Sequence, residues 1–182
     1  MFQFQTPDYV ADYMVSLIKE EPRLVLEPSI GEGNLVKALW KRFPKCHVLG
    51  FDTKQTTLKD DRLEFFKLDF MKVKDSYLLD TIGYRFDLIL ANPPFTPMLL
   101  SYGFFEKLIN IQKRGVYILP YLFLINSNSR PKKYSQIVNV KNIINLPRNV
   151  FKNARIQSCI LDVYDGETRD SKYTWYNEKL QK

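Results

Sequence analysis

Seven short apolar runs, separated by segments whose apolar residues recur every three or four positions, leave this chain few architectures to adopt. The runs at residues 23–26, 47–51, 63–68, 86–90, 115–119, 142–146 and 158–164 read as buried strands. The segments at 8–19, 34–42 and 104–113 carry apolar residues at helical spacing. Strands that alternate with helices must be joined by crossovers, which build a mostly parallel sheet with helices on both faces. A length of 182 residues suits one such domain and gives it enough chain to bury a sizeable core, so residues 1–182 are expected to form a single unit. In sheets of this kind ligands bind beyond the carboxyl ends of the strands, which singles out the loops that follow each strand.

Composition removes several chemistries before those loops are read. With 45% hydrophobic and 26% charged residues the chain resembles a packed globule and not a disordered segment. The longest apolar run, residues 116–125, is about half the length that spans a bilayer, and Pro120 interrupts it. No basic region followed by an apolar stretch opens the sequence, so a cytoplasmic protein without membrane attachment is expected. Cys46 and Cys159 stand far apart, outside any Cys-x-x-Cys pair, and read as buried thiols. His47 is the single histidine, so neither a histidine-based metal centre nor a histidine triad is expected.

The net charge of +7 is local. Residues 107–161 contain no acidic side chain but ten basic ones, among them Arg130, Lys132, Lys133, Arg148, Lys152 and Arg155. A field of one sign over that length suits a polyanionic partner, although a solvated basic face would also produce it. Lys107, Lys113 and Arg114, on or just after a helix, read as such a solvated face.

Four loops carry the chemistry. After the first strand, Glu27-Pro28-Ser29-Ile30-Gly31-Glu32-Gly33 is a two-glycine turn leading into a helix, a place where backbone can approach a ligand closely, or simply an ordinary turn. A nicotinamide dinucleotide loop would place a third glycine at Val36, where there is none. Asp52, about twenty residues on and at the end of the second strand, is placed to accept a pair of ribose hydroxyls or to cap a turn before Thr53. Asp69 and Phe70 follow the third strand, as an acceptor and ring for an adenine or as a turn residue and core aromatic. After the fourth, Asn92-Pro93-Pro94-Phe95 sets two prolines in succession, which fixes torsions, removes two donors and leaves carbonyls rigidly directed from the sheet edge, or is a structural turn closing a central strand.

Together these residues resemble the class I S-adenosylmethionine-dependent methyltransferases, and within them the amino-methylating group that includes N6-adenine DNA methyltransferases. Asn92-Pro93-Pro94-Phe95 is similar to that group's catalytic signature and Glu27 to Gly33 to its cofactor loop. The N-terminal Phe4-Gln5-Thr6-Pro7 resembles the Thr-Pro segment that closes over the methionine end of the cofactor. Leu146-Pro147-Arg148-Asn149-Val150-Phe151, with the run after it, is similar to the family's last two strands and their loop. The resemblance implies a Rossmann-like α/β fold with a seven-stranded sheet ending in an antiparallel hairpin. It implies S-adenosyl-L-methionine as cofactor, held by Thr6, Pro7, Glu27, Pro28, Gly31, Gly33, Asp52, Asp69 and Phe70, with no metal.

By the same resemblance, the Asn92 side-chain oxygen and the Pro93 carbonyl accept the two hydrogens of an exocyclic amine, Pro94 braces the loop, and Phe95 stacks on a flipped base. The implied reaction is adenine-specific methylation of DNA, as in restriction-modification. An RNA base, a protein glutamine amide, or a noncatalytic nucleic-acid-binding subunit of the same fold are the alternatives. Arg130, Lys132, Lys133, Arg148, Lys152 and Arg155 are expected against phosphate. Sixteen residues follow Gly166, so no separate target-recognition domain is expected; sequence choice would come from the basic loops, from a partner such as a specificity subunit or a second copy, or would hardly exist.

Overall fold

The computed structural model describes residues 4–82, 85–95, 98–121, 133–134, 136–151, 155–166 and 171–175. Its sheet is built from β1 (Leu24–Glu27), β2 (His47–Asp52), β3 (Leu63–Lys67), β4 (Leu88–Ala91), β5 (Arg114–Pro120), β6 (Val138–Asn145), β7 (Ser158–Asp165) and β8 (Lys172–Trp175). They lie in the order β3-β2-β1-β4-β5-β7-β6-β8. The first five run parallel, and β7 is antiparallel to both β5 and β6, so the expected closing hairpin is present. Helices on the sheet among the described residues are α1 (Asp8–Ser16), α2 (Asn34–Arg42), α3 (Asp75–Ile82) and α4 (Met98–Ile109). None is long and apolar enough to cross a membrane among the described residues.

Period-2 alternation along the strands divides the core in two. Val25, Val48, Leu88, Leu90, Val116 and Ile118 pack with Val10 and Met14 of α1 and with Leu35 and Leu39 of α2. Their strand neighbours Leu26, Leu49, Ile89, Ala91, Tyr117 and Leu119 face the other way, onto Leu78 of α3 and onto Phe105 and Leu108 of α4. Strands with both faces covered must be apolar nearly throughout, which is why they appear in the sequence as runs and not as alternations. Cys46 and Cys159 are both free and buried, and burial pushes the Cys46 thiol up to about 11 and that of Cys159 to about 12.

All seven expected strands are present; the bounds of α4 and of β6 differ from those expected, and α3 and β8 are additional. The helix expected at 104–113 is α4, which starts at Met98 and stops at Ile109. The residues that seemed to continue its spacing form the turn into β5, where Lys113 N–H donates to the Phe86 carbonyl and Phe86 N–H to that of Ile111. β6 begins four residues before the expected start because a register shift between Val140 and Asn142 breaks the alternation that marks a strand. β8, unexpected, pairs in parallel with β6 and extends the sheet by one strand.

The solvated-face reading is corrected for Lys107 and Arg114, whose side chains are largely buried, while Lys113 is exposed but paired. Lys107 binds Asp75 at 2.6 Å and the Val73 carbonyl, which fixes α3 to α4. Lys113 pairs with Asp87 at 2.7 Å. Arg114 donates to the buried Asp162 at 2.9 Å and to the Leu17 carbonyl at 2.7 Å, and lies over the Tyr164 ring. All three partners lie outside the acid-free stretch, so a count within it could not find them.

Gly115 opens β5 beside a buried polar pair, the Tyr117 hydroxyl donating to Gln112 Oε1. A Cβ at this position would overlap both of those side chains. Gly115→Ala is therefore expected to lower stability by about 1–3 kcal/mol, as overpacking of a closed core does, measured by urea denaturation. Unchanged stability would show that Gln112 can move aside.

Candidate active site

From β1 the chain winds outward through β2 and β3, then crosses back to lay β4 against the other side of β1. The loops leaving β1 and β4 therefore diverge from adjacent strands, and a crevice opens between them, as it does wherever strand order reverses in a parallel sheet. One wall is the loop after β1. Gly31 there has φ +53° and Gly33, capping α2, has φ +78°, both in the left-handed region that glycine adopts without strain. The other wall is Asn92, Pro93 and Pro94. Ser29 joins them, its hydroxyl donating to the Asn92 carbonyl at 3.2 Å.

Two carboxylates face one end of the cleft. Glu27 ends β1 and is 2% exposed, with Oε1 accepting from the Ser29 N–H at 3.0 Å. Burial pushes its carboxyl up to about 8, against the lowering effect of the Ser29 bonds and helped by the negative charge of Asp52. Asp52 ends β2 and is also buried; its Oδ2 accepts from the Gly31 N–H and its Oδ1 from the Lys54 N–H, each at 2.9 Å. Asp69 lines the cleft while its Oδ1 accepts from the Met71 N–H at 3.0 Å, capping a short 3-10 turn. Phe70 beside it also lines the cleft while 1% exposed, packed edge-on to Phe51 and stacked on Phe104. The apolar rim at this end is Leu68, 45% exposed.

The N-terminal segment closes the other end. Phe4, Gln5 and Thr6 all line the cleft, and the strap is tied down by Asn34 Nδ2, which donates to the Thr6 carbonyl at 2.9 Å. Its most consequential contact is with Asn92, whose Nδ2 donates to the Phe4 carbonyl at 2.8 Å and to Thr6 Oγ1 at 3.0 Å. A backbone carbonyl can only accept, so the amide nitrogen must face the strap and the oxygen is turned from it. Among the described residues none donates to Asn92 Oδ1. Pro94 is held from behind, its carbonyl accepting from Ser101 Oγ at 2.8 Å.

Not every expected site residue lies in the cleft. Phe95 is 5% exposed and packs against Phe4 and Phe151, with ring centroids 5.9 and 5.6 Å away, instead of facing the cleft. Pro7 caps α1 and Gly33 sits beneath Leu58, and neither lines the cleft. Of the expected phosphate contacts, Arg130, Lys132 and Lys152 lie outside the described residues. Lys133 pairs with Glu106 at 3.1 Å. Arg148 and Arg155 are exposed in the connection between β6 and β7, on either side of Phe151. The sequence reading passed over Ser29, Asn34 and Leu68. Polar residues next to a glycine turn were the one available signal for the first two.

The cleft suits S-adenosylmethionine: a buried acid for the ammonium of its amino-acid end, the Asp52 carboxylate for ribose hydroxyls, an apolar rim for a flat base, and glycine backbone for close approach. Neither any protein-family model nor any curated protein matches the sequence. Solved structures do match it. A modification subunit of a putative type I restriction enzyme from Vibrio vulnificus superposes with TM-score 0.78 at 17% identity, over 94% of this chain and 47% of that one. The type I restriction-modification methyltransferase subunit from Streptococcus thermophilus gives 0.75 at 15%, over 94% and 47%. A putative class I S-adenosylmethionine-dependent methyltransferase from Listeria monocytogenes gives 0.62 at 16%, over 94% and 65%. The chain thus spans about half the length of the type I subunits it matches. Its fold is the Rossmann-like fold of the class I methyltransferases.

The raised Glu27 carboxyl has a consequence for stability. Its folded value, about 8, lies above the ordinary 4.5, so the stability linked to its proton is complete below about pH 4.5 and lost as pH rises through 8. Glu27→Gln removes that dependence. Between pH 5 and 9 the wild type is expected to lose, relative to the variant, on the order of a few kcal/mol, measured by denaturant titration across pH. Parallel profiles would mean that Glu27 is ionised at its ordinary value.

Proposed function

We propose that this chain is an S-adenosylmethionine-dependent methyltransferase that acts on an exocyclic amino nitrogen, N6 of adenine in DNA. The observation that carries the reading is the Asn92 amide: both hydrogens are engaged by the strap, and its oxygen is left as an acceptor at a proline-braced corner of the cleft. Bound there, the cofactor supplies an electrophilic methyl group on a sulfonium. An aromatic amine is a poor nucleophile because its lone pair is delocalised into the ring. Acceptance of its two hydrogens by Asn92 Oδ1 and the Pro93 carbonyl draws the nitrogen toward tetrahedral geometry and aims the lone pair. The methylated nitrogen is strongly acidic and loses its proton readily, so no strong base is needed. Glu27, ionised opposite a cation, holds the amino-acid end, and Asp52 accepts the ribose hydroxyls.

Nucleic acid is favoured over protein by the acid-free stretch and by Arg148 and Arg155, exposed in the connection whose Phe151 touches Phe95. Phosphate contacts there would make binding fall steeply with salt. The two superposed type I proteins are named as subunits, and by analogy we assign sequence choice in this system to a partner polypeptide.

The test is incubation with methyl-labelled S-adenosylmethionine and, in parallel, duplex DNA, single-stranded DNA, RNA and protein. Label is expected in DNA adenine; label in RNA or protein alone would replace the substrate, and label in none would remove the enzymatic reading. Asn92→Ala is expected to abolish transfer while S-adenosylhomocysteine still binds in calorimetry. Asp52→Ala is expected to weaken that binding by about 1.5–3 kcal/mol, the scale of hydrogen bonds to a charged group. Retained affinity would refute the ribose assignment.

A further inference from the structure

We propose that Thr6 is a positioning residue for Asn92, its hydroxyl and the Phe4 carbonyl together holding the amide so that Oδ1 stays turned toward the cleft. The inference rests on the methyltransferase reading and deepens it, because it gives the N-terminal strap a part in the chemistry separate from covering a cofactor. A primary amide hydrogen-bonded through one hydrogen can still swing about its Cβ–Cγ bond. Bonded through both, to acceptors from different parts of the strap, its plane is fixed. The two acceptors divide the task. The Phe4 carbonyl accepts only, and so decides which end of the amide faces the strap; Thr6 Oγ1 takes the second hydrogen and removes the remaining rotation.

Thr6 is itself well held. It is 5% exposed, and its carbonyl accepts from Asn34 Nδ2 at the start of α2, so the hydroxyl is anchored to the same body of the fold as the cofactor loop. Phe4 is held in turn by its ring contacts with Phe95 and Phe151. The amide that must meet a substrate amine within a few tenths of an ångström is thus oriented by an element outside its own loop. Positioning of this kind is a recurring requirement of preorganised sites.

The test compares Thr6→Val, which keeps the shape and removes the acceptor, with Thr6→Ser, which restores the hydroxyl, in the full chain. Three quantities are measured: methyl transfer to duplex DNA, affinity for S-adenosylhomocysteine, and hydrogen exchange of the Asn92 side-chain amide by NMR, assigned by its disappearance in Asn92→Ala. In Thr6→Val, kcat is expected to fall about tenfold or more with affinity for S-adenosylhomocysteine within twofold of wild type, one Asn92 amide hydrogen exchanging faster, and Thr6→Ser restoring both. A Thr6→Val variant that loses affinity but keeps kcat at saturation would make Thr6 a cofactor contact and overturn the proposal. So would unchanged kcat and exchange in a chain that does transfer methyl. A wild-type chain that neither binds S-adenosylhomocysteine nor transfers methyl would sink the methyltransferase reading, a result distinguishable from either of these.

Discussion

The reversal of strand order between β1 and β4 is the constraint from which the site follows. Two parallel neighbours whose chains leave in opposite directions cannot have their exits covered by one connection, so a crevice between them is a result of topology and not of any single side chain. What the sequence adds is the content of the two exits: an acid, a serine and two left-handed glycines on one side, an asparagine and two prolines on the other. Ser29 spans the gap between them and bonds to both Glu27 and Asn92. The geometry of the acidic end and that of the amide are therefore linked through one short side chain.

The electrostatics of the acidic end are as much a product of the fold as its shape. Glu27 lies at the end of a central strand, almost wholly buried, near a second carboxylate that is held by two backbone N–H groups. Two acids so placed are poorly matched to each other and well matched to a cation. A positively charged ligand would favour the ionised form of Glu27, so such binding would be coupled to proton release. The same burial that weakens the fold at high pH would thus favour a positively charged ligand over a neutral one.

Much of this was legible in the sequence, and the parts that were not share a cause. Strand positions could be read because both faces are covered, which turns each central strand into a short apolar run. Glu27, Asp52 and the Asn92 corner could be placed because each ends such a run. What could not be read were interactions joining distant segments: the grip of Thr6 on Asn92, 86 residues apart; the tie between Asn34 and Thr6; and the pairing of Lys107, Lys113 and Arg114 with acids beyond their own stretch. Which way the Phe70 ring turns was not legible for a related reason. An aromatic next to a cleft is as useful to the core beneath as to the ligand above, and local sequence does not say which way the ring turns.

Phe95 shows how these long-range contacts bear on function. Its ring lies in a three-membered cluster with Phe4 and Phe151, whose own centroids are 5.8 Å apart, so the strap, the proline-braced corner and the connection between β6 and β7 all meet at one apolar point. A base that stacked on Phe95 would have to replace one of those rings. Ring-for-base exchange conserves most of the apolar contact and so need cost little. But the ring most simply displaced belongs to Phe4, whose carbonyl orients Asn92, and its departure would free the amide that the base has come to meet. Displacing Phe151 avoids that conflict. The base would then enter from the side of Arg148 and Arg155, where phosphate can be held, while the strap stays closed and the Asn92 oxygen keeps its aim.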